Sequence, residues 1–242
     1  MRQPEVRVIH AWPPSTFLSR LRSTTLEDVM SQGTPMVYPV HRTLLHQGDE
    51  SRHVLLITRG VVKVVATSES GYEMLLAVRV AGDLVGEMAA FEGRPRSGTV
   101  IACSEVTARI VDLTTLEAIL ARHPDAAKAM VHMLCARLRW ANQRRIDFRA
   151  YDSHTRLARV LAELSQAYGR AVPNSGGRRI KLGVTLTQSE LASLAGLALP
   201  TAEKALAELS HRGLLERSYR QITVCDVPRL LEFSRVVSQN PY

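Results

Sequence analysis

The sequence predicts an α+β chain: an N-terminal antiparallel β barrel or jelly roll, then a long helix, then a winged helix-turn-helix. Three observations predict it. From Pro35 to Leu113, short β-branched segments are cut by Gly48, Gly60, Gly71, Gly82 and Gly93, every 11 or 12 residues, an all-β rhythm. From Pro124, the residues Ala127, Val131, Leu134, Leu138, Ala141, Arg145 and Phe148 follow 4-3-4-3-4-3 spacing, the mark of a helix with a narrow apolar seam. Further on, two helical patterns joined by a glycine precede two short β segments. The expected division is 1–33 as an arm with short helices, 34–122 as the barrel, 123–151 as the long helix and 152–242 as the winged module.

Within the barrel region, Val54–Ile57 and Val61–Val65 flank Gly60, and Met74–Val80 follows a turn at Ser70-Gly71. Thr99–Cys103 is expected to pair with Val106–Val111 across Ser104-Glu105. A β-solenoid is disfavoured because the segments share no side-chain pattern beyond the glycines. The seam on the long helix, sustained for about three heptads, buries itself best against a second copy, so a parallel homodimer through 123–151 is expected, with Arg145 as a misfit on the seam. Asp152–Leu164 opens a further helical segment, and a polar loop follows at Pro173–Gly177. Thr187-Gln-Ser-Glu190 is a capping box opening a helix that ends at Gly196. The next helix starts near Pro200, where a missing N–H costs nothing, and stops at Gly213. Leu214–Arg217 and Gln221–Val224 read as the wing hairpin.

Composition narrows the chemistry. The chain has 242 residues, 45% hydrophobic and 22% charged, too balanced for disorder. No apolar run is long enough to span a bilayer and Met1–Pro14 has no apolar core, so a cytoplasmic protein without membrane contact is expected. Three dispersed cysteines, Cys103, Cys135 and Cys225, offer neither a disulfide framework nor a four-thiolate metal site. Residues 1–122 carry 13 Lys+Arg against 13 Asp+Glu, whereas 123–242 carry 18 against 10. The whole excess of +8 lies in the second half, as expected of a module that meets a polyanion. No Ser/His/Asp grouping, H-E-x-x-H or P-loop occurs, so catalysis has no candidate site.

The segment Gly86-Glu-Met-Ala-Ala-Phe-Glu-Gly-Arg-Pro-Arg-Ser-Gly-Thr99 carries the sharpest chemistry. It resembles the phosphate-binding cassette of cyclic-nucleotide domains, and that resemblance implies a ligand with one phosphodiester charge and one free ribose 2′-hydroxyl. Arg96 could supply a bidentate fork to the phosphate, and Ser97 a hydroxyl and an N–H. The turn opened by Gly86, with Met88 behind it, could supply further N–H groups. Glu87, an acceptor when ionised, would take the 2′-hydroxyl proton. This segment and the helix-turn-helix resemble those of bacterial transcription regulators related to the cyclic-AMP receptor protein and the fumarate-nitrate regulator, over about Leu18 to Phe233.

The resemblance implies a homodimeric regulator that binds double-stranded DNA in response to a cyclic nucleotide and contacts RNA polymerase. Cyclic AMP is the first candidate effector, cyclic GMP the second, and no metal is needed. In such regulators the long helix offers a Thr hydroxyl and then Ser or Asn to the base, the second from the partner subunit; here those places hold Ala141 and Asn142. The family's Ser-Arg-Glu-Thr start of the reading helix is replaced by Ala198-Leu-Pro-Thr201. Leu199 and Pro200 therefore cannot hydrogen-bond a base, though Leu199 could pack on a thymine methyl. Lys204 keeps the third base-reading position and Thr201 a phosphate-contacting one. Thr187 and Ser189, with Arg217 and Arg220 on the wing, complete the expected phosphate contacts. Iron–sulfur ligation lacks thiolates before Cys103, and haem ligation by His41, His46 or His53 lacks paired spacing. Two alternatives stay open: DNA binding that needs no nucleotide or answers a different one, and a nucleotide module acting through protein partners.

Overall fold

The computed structural model describes residues 12–218 and 221–234. A 3-10 turn at Leu18–Arg20 and helix α1 (Ser23–Ser31) lead into two four-stranded antiparallel sheets. One sheet orders β1 (Thr34–Tyr38), β8 (Val106–Val111), β3 (Val54–Arg59) and β6 (Leu84–Val85); the other orders β2 (Thr43–Leu45), β7 (Thr99–Ala102), β4 (Val61–Thr67) and β5 (Glu73–Val80). Side chains on a strand alternate between faces, and β3 uses both. Leu55 and Ile57 enter the cluster between the sheets with Val62, Val100 and Ala108, whereas Val54 and Leu56 pack outward beneath helices, beside Phe17, Leu116 and Met133.

One expected pairing does not form. The segments either side of Ser104-Glu105 are not a hairpin, because β7 pairs with β2 and β4 while β8 pairs with β1 and β3. The chain changes sheet at this turn, directly over the turn at Gly60. Ser104 Oγ accepts the Val61 N–H at 3.0 Å, and a Cβ on Gly60 (φ +94°) would lie 2.3 Å from the Glu105 carbonyl oxygen. Only glycine permits that approach.

Helix α2 (Glu87–Glu92) and helix α3 (Leu113–Arg122) complete the first unit. Helix α4 (Pro124–Ala150) begins with Pro at its first position, where no N–H is lost. Its two long faces differ. Ala126, Ala129, Met130 and Met133 are buried against the barrel's helices, while Val131 (59% exposed), Leu134, Leu138 (62%) and Ile146 face outward. Helix α5 (Ser153–Tyr168), capped by Asp152, is tied to α4 by buried charges. Asp147 accepts from Arg159 Nε at 3.0 Å and is ion-paired with Arg144 Nη2 at 3.0 Å, and Arg144 donates to Glu163.

The C-terminal module sets helices α5, α6 (Gln188–Ala195), α7 (Leu199–His211) and α8 (Val227–Phe233) on a sheet ordered β11 (Leu215–Ser218), β12 (Gln221–Val224), β10 (Ile180–Leu182) and β9 (Gly169–Ala171). Thr187 caps α6 in the expected box with Glu190, and Gly196 (φ +62°) ends it. A Cβ on Gly196 would sit 2.4 Å from the Phe148 ring, so the turn between α6 and α7 rests on α4.

The apolar core of this module continues onto the barrel, where Val65, Leu75 and Val78 join Leu161, Leu191 and Leu194. Tyr168 Oη donates to the Val78 carbonyl at 3.0 Å, and Lys63 of β4 is ion-paired with Glu190 of α6. No helix among the described residues is long and apolar enough to cross a membrane.

Candidate functional site

A cavity of about 440 Å³ lies between the inner face of the β2-β7-β4-β5 sheet, α2, α4 and α6. It brings together five residues singled out from sequence: Gly86, Glu87, Met88, Arg96 and Ser97. Leu45, Val64, Met74, Leu76 and Val100 form its apolar wall. Met74, Leu76 and Met88 are among the exposed large apolar residues, the surface expected of a pocket awaiting an apolar or aromatic body.

Gly86 (φ +90°) starts α2, and its missing side chain lets Arg96 approach: a Cβ there would lie 2.7 Å from Arg96 Nη1. Arg96 is buried and donates Nη1 to Gly86 O at 2.7 Å, Nη2 to His53 O at 2.6 Å, and Nε and Nη2 to Ser51 Oγ at 3.3 and 3.2 Å. A guanidinium has five N–H groups, so one remains free. The expected bidentate fork is therefore corrected: without releasing Ser51 or His53, Arg96 offers an anion one N–H and its charge. Burial, opposed by Asp49 and Glu87, draws the Arg96 pKa down. Burial and then the Arg96 charge draw that of His53 down too. Among the described residues, Ser97 Oγ has only Met88 Sδ within range, at 3.9 Å.

Glu87 is also buried, and its partner was not foreseen. Arg137 of α4 donates to Glu87 Oε1 at 2.6 Å, to Leu84 O at 2.7 Å and to Asp83 Oδ1 at 3.4 Å. Arg137, Trp140, Ala141, Arg144, Arg145 and Phe148 all line the cavity. Their spacing of 3-1-3-1-3 is a single helical face, a signal present in the sequence beside the seam. Asn142 is exposed and absent from the lining of its own chain's cavity. The opposite wall comes from Ser193 and Leu194 of α6, so the first helix of the helix-turn-helix closes the cavity.

The second group of residues forms an outer face. On α7, Ala202, Ala205, Leu206 and Leu209 are buried while Leu199 (41% exposed), Pro200, Thr201 and Lys204 face solvent. Ser189 and Arg217 are exposed as well. Thr187 is exposed, but its hydroxyl is spent in the capping box, accepting from Glu190 N at 3.1 Å and donating to Glu190 Oε2 at 3.1 Å. Its backbone N–H is also used, at 2.8 Å to the same oxygen. That corrects its expected part in a phosphate contact, which Ser189 is freer to make. Arg220 lies outside the described residues.

Burial, the largest influence, pushes the Glu190 carboxyl up, yet the bonds from Lys63 and Thr187 outweigh it and hold the group below its ordinary value. Burial pushes the Cys103 thiol up to about 11. No cluster of three or more His, Cys, Asp or Glu residues able to hold a metal occurs among the described residues.

Residues 35–123 match the cyclic nucleotide-binding domain family and residues 155–233 the Crp-like helix-turn-helix domain family. A CRP-like cAMP-activated global transcriptional regulator of Mycobacterium tuberculosis is 29% identical over 201 residues, 83% of this chain and 88% of the relative. The cAMP-activated global transcriptional regulator of Salmonella typhimurium is 26% identical over 201 residues, with 83% and 93% covered. Among solved structures, FixK2 from Bradyrhizobium japonicum aligns with a TM-score of 0.69 at 20% identity, covering 83% of this chain and 96% of that one. The c-di-GMP responsive regulator CLP of Xanthomonas campestris aligns with a TM-score of 0.69 at 21% identity, covering 84% and 99%. At those identities the structures speak for the fold.

Proposed function

The chain belongs to the CRP/FNR family of DNA-binding transcription regulators, which are not enzymes, and from that premise we propose a homodimer whose DNA affinity answers a cyclic purine nucleotide. The observation that carries the reading is the cavity. Glu87, Arg96 and Ser97 offer an acceptor, a cation and a hydroxyl at one end, while α4 and the apolar strands provide a slot for the base. Names of the curated relatives make cyclic AMP the first probe; cyclic GMP, the other cyclic purine mononucleotide, is the second.

Because Ser193 and Leu194 close the cavity, a ligand entering it meets the DNA-reading module directly. The exposed seam Val131–Leu134–Leu138 supports pairing of two α4 helices, which would set the two α7 helices about 34 Å apart for successive major grooves in the favoured state. In that dimer Asn142 faces the partner's cavity. Leu199, Thr201, Lys204, Ser189 and Arg217 are the proposed DNA contacts, with specificity drawn partly from DNA shape because Leu199 and Pro200 carry no base-reading donor. The working division remains 34–122 for nucleotide, 123–151 for pairing and 152–242 for DNA, with RNA polymerase as a further partner and the cytoplasm as the location.

Calorimetric titration of the purified dimer with cyclic AMP and cyclic GMP tests the reading. Heat with at least one nucleotide is expected, reduced roughly tenfold to a hundredfold in affinity by Glu87→Gln, since a hydrogen bond to a charged group contributes about 1.5–3 kcal/mol. No heat with either, or full operator affinity in nucleotide-free protein, overturns it.

A further inference from the structure

We propose that Arg145 reads the base of the bound nucleotide and that the base it selects is guanine; the inference rests on the cavity being the nucleotide site proposed above. Five arginines line that cavity: Arg79, Arg96, Arg137, Arg144 and Arg145. Four are committed to the protein. Arg96 holds the carbonyls of Gly86 and His53, Arg137 is paired with Glu87, and Arg144 with Asp147 and Glu163; Arg79 donates to the Val78 carbonyl at 3.0 Å. Arg145 makes no hydrogen bond or ion pair with any of the described residues, and its side chain is exposed at the cavity wall.

Arg145 is also where a base-reading group is missing. Ala141, one helical turn earlier on the same face, lines the cavity with a methyl and can neither donate nor accept. Trp140 Nε1 is already spent on Glu163 at 2.9 Å. The polar side chain that α4 leaves available to this cavity is therefore a guanidinium, on a wall that also carries Trp140 and Phe148. Across the cavity, Ser193 presents a hydroxyl, which both donates and accepts and so does not discriminate.

A guanidinium carries donors only. Guanine presents O6 and N7 side by side as two acceptors, the edge a guanidinium fork grips in two places. Adenine presents N7 beside the N6 amine, so one arm of the fork meets another donor. The two bases have the same bulk, so an apolar slot separates them weakly. A bidentate pair discriminates by about 1–3 kcal/mol, which is roughly fivefold to 150-fold in Kd.

The test titrates the full-length dimer with cyclic GMP, cyclic AMP and cyclic di-GMP, in wild type and in Arg145→Ala and Arg145→Gln, after circular dichroism shows equal helicity. Wild type is expected to bind cyclic GMP more tightly than cyclic AMP by roughly tenfold or more, and Arg145→Ala to bring the two within about threefold. Arg145→Gln is expected to shift the preference toward cyclic AMP, because a carboxamide can donate to N7 and accept from N6. Equal or tighter binding of cyclic AMP by wild type, or an unchanged ratio in Arg145→Ala, overturns the assignment while leaving the nucleotide site standing. Binding of cyclic di-GMP with neither mononucleotide assigns Arg145 to a second phosphate and overturns it also. If no nucleotide binds wild type, the site itself fails and the inference falls with it.

Discussion

Arg96 fastens three segments before any ligand arrives. Its guanidinium holds the carbonyls of Gly86 and His53 and the hydroxyl of Ser51, which joins the start of α2 to the loop before β3. Arg96→Leu is therefore expected to lower stability by about 3 kcal/mol, since buried acceptors lose a charged donor, as well as weakening nucleotide. Ser97→Ala, which removes a hydroxyl facing only Met88 Sδ, is expected to weaken nucleotide binding with no change in Tm. Parallel calorimetry and thermal denaturation separate the two roles; equal Tm losses would show that Ser97 is structural as well. Glu87 and Arg96 are legible in sequence because nine residues of helix and loop bring both to one cavity. Arg137 is not, because its pairing with Glu87 joins elements fifty residues apart, and no local spacing records such a contact.

At the scale of elements, α4 is the most divided. Its outward seam is legible from 4-3 spacing, and the 3-1-3-1-3 face lining the cavity could be read beside it. The inward face defeats sequence reading because Arg144 and Asp147, both buried, are residues that patterns assign to solvent. Removing Asp147 leaves Arg159 and Arg144 short of a counter-charge in the core. Asp147→Ala is expected to cost about 3–5 kcal/mol, measured as a lower urea midpoint with unchanged slope; a loss under 1 kcal/mol would mean that Glu163 alone balances both arginines. The missing hairpin at Ser104-Glu105 has a similar origin. Two β segments separated by two residues look like local partners, but in two facing sheets the chain must cross between them, and the tight turn serves the crossing.

Across the whole molecule, the winged module docks on the barrel through Lys63–Glu190, Tyr168–Val78 and the apolar patch around Leu75. Glu190 has its carboxyl held below the ordinary value, so it favours the docked, ionised form. That contribution is complete above the usual glutamate pKa of about 4.3 and is lost as pH falls through the lowered one. Acidification from pH 7 to below the lowered Glu190 pKa is expected to release the module, read as faster proteolytic cleavage near Tyr151. Lys63→Ala is expected to raise cleavage already at pH 7 and to flatten the pH dependence, and cleavage that ignores both would place the docking energy in the apolar patch alone. The three-unit order of the chain is legible because each unit has its own periodicity. Their docking is not, since Leu75 and Val78 carry no mark distinguishing a strand face that meets solvent from one that meets a neighbouring module.

Ser193 and Leu194 belong to the pocket and to the DNA reader at once. On the proposed reading, reciprocity of coupled equilibria would give operator DNA a hold on effector affinity equal in factor to the effector's hold on the operator. A promoter sequence that grips the reader harder would shift the nucleotide concentration at which its own gene responds, so that sensitivity to the signal becomes partly a property of the genome and not of the protein alone.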